Sequence, residues 1–276
     1  MTTDWQEASA GGQTFRYVDS GSGPLVLLLH GFPDLPTAWD RIRARLNEAG
    51  YRTVAPYLRG YHPATFSDRP FGTSDQADDV ALLLDALGEP SAVVIGHDWG
   101  ADAAYSSATK HPDRVTKMVA LGIPHPATLK PSLGSAWAGR HFLYFKLPWA
   151  QATARIFGFR MVGRLYGRWA PSWRGSERDA SVAAAVAAFR DPQVLRGALA
   201  YYKALRPGHP LYRDKIGVRA LVVGGKDEPP ILQQGYGATP GRFTAPCDIV
   251  ILDGAGHWPH RENEEAFLDA LLAFLA

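Results

Sequence analysis

Six short apolar runs, separated by longer amphipathic stretches, constrain this chain most. They are PLVLLLHG (24–31), RTVAPY (52–57), SAVVIGHD (91–98), VTKMVALGI (115–123), RALVVGG (219–225) and DIVILDG (248–254). Apolar runs of this length, without polar alternation, read as strands covered on both faces. Between them, Ala38 to Ala49, Ser74 to Leu87 and Gly100 to His111 carry Leu, Ile, Val and Ala at helical spacing, and Glu264 to Leu275 ends the chain in the same way. This alternation predicts an α/β protein with a mostly parallel, doubly wound sheet. Such sheets place their sites at the carboxyl ends of the strands, so the residues that follow each run matter most.

The alternation stops between about Pro124 and Tyr212 and resumes at Arg219. An interruption of that length is too long for a plain connection and predicts a helical cap, or lid, over the sheet edge. The expected division is a core of residues 1–127 and 213–276 with a cap of residues 128–212. The chain is +2 overall, but Pro131 to Lys215 holds 14 Lys and Arg against 4 Asp and Glu, leaving −8 for the rest. Arg155, Arg160, Arg164 and Arg168 recur at near-helical spacing among Phe157, Phe159, Leu165 and Trp169. They read as a solvated face whose stems cover apolar surface, or as a contact for another subunit or a membrane surface.

The small net charge gives no reason to expect nucleic acid. The single cysteine, Cys247, forms no intramolecular disulfide and points to a reducing compartment. MTTDWQEAS lacks the pattern of a signal peptide, and the longest apolar segments fall short of the roughly 20 residues that span a bilayer. A soluble, cytoplasmic protein is expected, with no membrane span, metal or cofactor; a homodimer is left open.

Gly96-His97-Asp98-Trp99-Gly100, between a predicted strand and a predicted helix, has the spacing of a nucleophile elbow. The glycines let strand and helix approach while the central side chain stands exposed on a strained turn. That central residue is an aspartate. With a reference pKa near 3.9 it is ionised at neutral pH without help from a base. A serine that attacked a saturated carbon would become an inert ether, whereas an aspartate becomes an ester that water cleaves at its own carbonyl carbon. Asp98 therefore implies substitution at an alkyl carbon, and the base is reserved for the second step.

Elbow proteins order their residues nucleophile, acid, histidine. Asp227 follows one late strand and His257 the next, so His257 is expected to activate water while Asp227 holds its tautomer. His260 is the alternative base. Backbone N–H groups of Trp99 and of Phe32, in His30-Gly31-Phe32-Pro33, are the expected oxyanion donors. Phe32, Pro33 and Trp99 are also expected to touch substrate.

HGFP, RGY (Arg59 to Tyr61), GHDWG, the acid after a late strand and GHW (Gly256 to Trp258) together resemble the epoxide hydrolases of the α/β-hydrolase fold, over nearly the whole chain. The resemblance implies an aspartate nucleophile, a His–Asp relay, a helical cap, a cis peptide before the HGFP proline and two lid tyrosines that donate to the epoxide oxygen of a small-molecule substrate. In RGALAYYKAL, Tyr202 matches the second lid tyrosine. The first falls on His141, counting back from Lys146 in HFLYFKLP, with Tyr144 as the fallback donor and substrate contact. Pro56-Tyr57 and His62-Pro63-Ala64 depart from the family pattern around RGY, which bears on substrate preference because that loop is expected near the pocket. Haloalkane dehalogenases share the fold and the aspartate. They add a second halide donor, which Phe32 does not supply but Trp137, Trp149, Trp169 or Trp173 does on that reading. A non-catalytic ligand-binding protein of the same fold is the third reading.

Overall fold

The computed structural model describes residues 4–67, 72–130, 137, 139–206 and 208–276. Its strands are β1 (Trp5–Ala10), β2 (Gln13–Ser20), β3 (Leu25–Leu29), β4 (Arg52–Pro56), β5 (Ala92–His97), β6 (Val115–Leu121), β7 (Ala220–Gly225) and β8 (Cys247–Leu252). The last six are the six apolar runs. They form one sheet in the order β1-β2-β4-β3-β5-β6-β7-β8, antiparallel at β1–β2 and β2–β4 and parallel elsewhere.

The runs of β3 to β7 lack polar alternation because both sheet faces are covered there; β8, expected to be buried in the same way, is the edge strand and leaves Asp248 and Ile251 exposed. In β3, Leu25, Leu27 and Leu29 join one hydrophobic cluster, and Val26 and Leu28 join the other. Burying such side chains contributes about 1.5–3 kcal/mol each, which is what holds this central strand against the entropy of ordering it. Helices α2 (Thr73–Leu87) and α3 (Trp99–Lys110) pack on the first face. Helix α1 (Asp40–Glu48) packs on the second, along with the C-terminal helix Glu264–Leu275, which buries Phe267, Leu268, Leu271, Phe274 and Leu275.

The hairpin β1–β2 was not foreseen. β1 has no fully buried position and β2 mixes buried with half-buried ones, with polar residues interleaved, so neither contains a continuous apolar run. Its turn is Gly11-Gly12, with φ of 58° and 78°, the two-residue form that needs left-handed backbone at both positions.

Between β6 and β7 the described residues form α4 (Arg140–Lys146), α5 (Ala150–Ile156), α6 (Arg160–Trp169), α7 (Ser176–Phe189) and α8 (Pro192–Ala204). Asp191 caps α8 by accepting from the Gln193 N–H at 2.8 Å, with Pro192 as the first helical residue. Helix α6 buries Val162, Leu165, Tyr166 and Trp169, leaving Arg160 and Arg164 exposed. Arg168 departs from the expected solvated face and is half-buried. The inward faces of these helices share a cluster with Phe32, Tyr61, Trp99 and Trp258, all of which follow strands of the sheet. After β7 come α9 (Pro230–Ala238), the single turn α10 (Pro259–Glu262) and α11 (Glu264–Leu275). Among the described residues no helix is long and apolar enough to cross a membrane.

Candidate active site

Asp98 sits between β5 and α3 with φ 52° and ψ −114°, a backbone conformation that L-residues rarely adopt. The neighbouring glycines explain how it is held. A Cβ at Gly96 would run into the Gly100 carbonyl, and one at Gly100 into the carbonyl of Leu29. A Cβ at Gly31 would come within 2.7 Å of Asp98 Oδ1, so the HGFP loop can lie against the carboxylate only because position 31 has no side chain. The Asp98 side chain does not cap α3. Its Oδ1 instead accepts from the Phe32 N–H at 2.8 Å. The Phe32–Pro33 peptide is cis. Trp99 is the first residue of α3, where an N–H has no acceptor within the helix.

His257 Nε2 stands 3.3 Å from Asp98 Oδ2, on the other side of the carboxylate from Phe32. The acid behind the ring is not Asp227. That side chain turns outward and accepts from Ser172 Oγ at 2.7 Å, while its backbone N–H donates to the Ala255 carbonyl. Glu228 reaches His257 instead, with Oε1 3.4 Å from Nδ1. Its side chain is fully buried, and its other oxygen, Oε2, accepts from the Gly225 N–H at 3.1 Å and the Tyr236 hydroxyl at 2.8 Å. The turn after β7 sends two adjacent acids to opposite sides, and only the second reaches the imidazole. Asp227 was the expected acid, and nothing local in Lys-Asp-Glu-Pro-Pro marks its neighbour as the residue whose side chain turns inward to Tyr236.

Burial pushes the His257 imidazole down, but Asp98 first and Glu228 next outweigh it and hold the ring up to about 10. Burial raises Glu228, against the pull of His257, Tyr236 and Gly225. His260 is not placed to act as the base. It is buried and stacks on Trp39 with ring centroids 4.4 Å apart. Burial drives its protonation far below the usual histidine range, as it does for His97, whose Nε2 lies 2.7 Å from the His257 carbonyl oxygen. His30, pushed down to about 4 by burial, accepts from the Leu58 N–H at Nε2 and so carries its proton on Nδ1, toward the Gly31 carbonyl.

A cavity of about 430 Å³ opens at Asp98, Glu228 and His257. Its other walls are mostly apolar, from Ile123, Leu129, Phe142, Trp169, Pro229 and Leu232 among others. Trp169, one of the four lid tryptophans named as possible halide donors, also accepts the His257 backbone N–H on its carbonyl at 2.9 Å.

Of the expected donors, His141 lines this cavity. Its Nδ1 is 3.0 Å from Arg168 Nη2. A guanidinium has only donors, so Nδ1 accepts and the proton of the neutral ring lies on Nε2. Tyr202 is buried, edge-on to Trp99 and Phe142 with centroids 5.0 Å away in each case, and lies outside the cavity lining. Burial, then the Asp98 charge, raise its hydroxyl well above the usual range, so it stays a donor. Tyr144 does not serve the cavity, because its hydroxyl pairs with Thr153 Oγ1 at 2.6 Å on α5. Tyr57 and His62 are likewise absent from the lining. Tyr57 stacks on Trp5 of β1 at 4.7 Å, so the departures around RGY belong to the N-terminal hairpin.

The sequence matches the alpha/beta hydrolase fold family over residues 24–264. It is 30% identical to the AB hydrolase superfamily protein YfhM of Bacillus subtilis, over 98% of this chain and 97% of that protein. It is also 30% identical to an epoxide hydrolase of Caballeronia sordidicola, over 98% of this chain and 92% of the other. The crystal structure of epoxide hydrolase A from Mycobacterium thermoresistibile superimposes with a TM-score of 0.83 at 25% identity, covering 99% of this chain and 98% of that one. With its strand order, its elbow and relatives that match it nearly end to end, the chain belongs to the alpha/beta hydrolase fold family, in the group of the epoxide hydrolases.

Proposed function

We propose that this protein opens an epoxide to a vicinal diol through an ester on Asp98. The observation that carries the reading is an aspartate carboxylate at the wall of an apolar cavity, with a backbone donor on one oxygen and an imidazole beside the other. Residues 128–212 act as a cap that keeps water from the apolar end of the cavity. Asp98 Oδ2 attacks an epoxide carbon, the carbon–oxygen bond of the ring breaks, and the electron pair passes to the leaving oxygen. That oxygen takes a proton from His141 or Tyr202, which solvent restores.

Esterification removes the Asp98 charge, the larger of the two that hold His257 protonated. The imidazolium then sheds its proton, which balances the one taken up by the leaving oxygen, and the ring becomes a base. His257 removes a proton from water, and the hydroxide adds to Cγ of Asp98. The resulting oxyanion on Oδ1 is held by the N–H groups of Phe32 and Trp99. Collapse expels the diol oxygen, which takes the proton back from His257; the carboxylic acid left on Asp98 then gives its own proton to the ring, restoring carboxylate and imidazolium.

A single turnover in ¹⁸O-water with excess enzyme tests this route. The label is expected in the peptide that contains Asp98 and not in the diol, since the oxygen delivered to carbon comes from the enzyme. Labelled diol in the first turnover would exclude the ester. Because Trp169 lines the cavity, a bromoalkane is run in parallel with halide release as readout; release at a rate matching diol formation would move the assignment to dehalogenation.

The two leaving-oxygen donors act on ring opening alone. His141→Phe and Tyr202→Phe are each expected to slow the single-turnover rate of ester formation by about 10²-fold while ester hydrolysis is nearly unchanged. Arg168→Met, which frees the His141 tautomer, slows the same step by about tenfold. Equal losses in both steps would show that these residues only shape the fold.

A further inference from the structure

Among the described residues, the five most exposed large apolar side chains fall in one stretch: Trp137, Leu143, Trp149, Ile156 and Phe157. Ile156 is 76% exposed and Trp137 70%. Four of them lie on α4, on α5 or beside its ends, and the Tyr144–Thr153 hydroxyl pair ties those two helices together. Exposed cations stand among and just beyond them at Lys146, Arg155, Arg160 and Arg164. No Asp or Glu occurs between Asp113 and Glu177. Leu143 and Leu129 are exposed and also line the catalytic cavity, so the mouth of that cavity opens beside this surface.

We propose that this face docks on an anionic lipid bilayer and takes apolar substrate from it through the cavity mouth. Trp, Ile and Phe side chains would enter the headgroup boundary, where indole rings are at home, while the arginines lie over lipid phosphates. The absence of acids from residues 114–176 favours an anionic partner, because each cation near such a surface adds attraction. A second copy seated here by a two-fold axis would press this same basic surface against itself, like charge on like. Substrate delivery rests on the epoxide reading; the docking itself does not.

The test is co-sedimentation of the full chain with phosphatidylcholine vesicles, with and without phosphatidylserine. Binding is expected only with phosphatidylserine and should weaken as salt is raised. The Ile156→Ser/Phe157→Ser double variant should lower vesicle affinity by about tenfold or more, as should Arg160→Glu/Arg164→Glu. Both variants should keep the wild-type circular dichroism and hydrolyse styrene oxide normally in the absence of vesicles. No sedimentation, or equal sedimentation with both vesicle types, would overturn the proposal. So would a dimer in analytical ultracentrifugation that Ile156→Ser/Phe157→Ser dissociates, or binding to an acidic polypeptide with none to vesicles. Failure of the wild type to turn over styrene oxide would count against the epoxide reading and leave the vesicle result standing.

Discussion

His257→Gln, incubated with an epoxide, accumulates a protein species heavier by the whole mass of the epoxide, and digestion places the added mass on Asp98. Steady-state turnover falls by about 10⁴-fold, the scale on which loss of a relay base acts. The geometry is the reason the two half-reactions separate. Asp98 is oriented by the Phe32 N–H, which the substitution leaves in place, so ester formation proceeds. Hydrolysis of that ester needs a proton acceptor near Cγ, and the amide of Gln has none of sufficient basicity. A haloalkane would instead add only its alkyl group and release halide. If neither substrate class leaves an adduct, the covalent route is wrong.

The second large effect separates two neighbours. Glu228→Gln is expected to slow ester hydrolysis by about 10³-fold or more, in keeping with the loss of the acid behind a catalytic histidine, while Asp227→Asn changes turnover by less than about threefold. Glu228 is the buried partner of His257, and two donors from elsewhere in the fold fix its second oxygen. Asp227 is tied to a serine at the surface. The substitution also removes one of the two carboxylates that hold the imidazole near 10, so the resting His257 of Glu228→Gln loses its proton at lower pH than the wild type. The ¹H NMR titration of the ring reads that shift directly. A large loss in Asp227→Asn with little in Glu228→Gln would reverse the assignment.

Much of this arrangement was legible in the chain. The apolar runs of β3 to β7 marked the parallel sheet because burial on two faces leaves no polar alternation to disguise a strand, and β8 was legible from its apolar residues although it is an edge strand. The amphipathic pair β1 and β2 escaped for the opposite reason, having one side in water. GHDWG was readable because a tight strand-to-helix turn places steric demands that only glycine meets at Gly96 and Gly100. The choice between Asp227 and Glu228 was not readable. Spacing locates a turn at the end of β7 but does not say which way each side chain leaves it, and a one-residue difference moves a carboxylate from the core to the surface. The fate of Tyr144 was equally hidden, since its partner Thr153 lies on a separate helix whose approach no local pattern encodes. Arg168 and Trp169 read as part of a basic amphipathic helix; that one meets His141 and the other His257 depends on how α6 is rolled against the sheet.

The Phe32 donor, the Asp98 carboxylate and the His257 ring come from segments after β3, β5 and β8. No local unit of the chain contains two of them. A refolding chain that has formed its helices still has no chemistry, and recovery of turnover must trail recovery of the far-ultraviolet signal until the strands lie side by side. Activity in this protein is therefore a clock for the last stage of assembly. During synthesis the same order has a sharper edge, because on the proposed route the residue that becomes alkylated leaves the ribosome well before the residue that frees it.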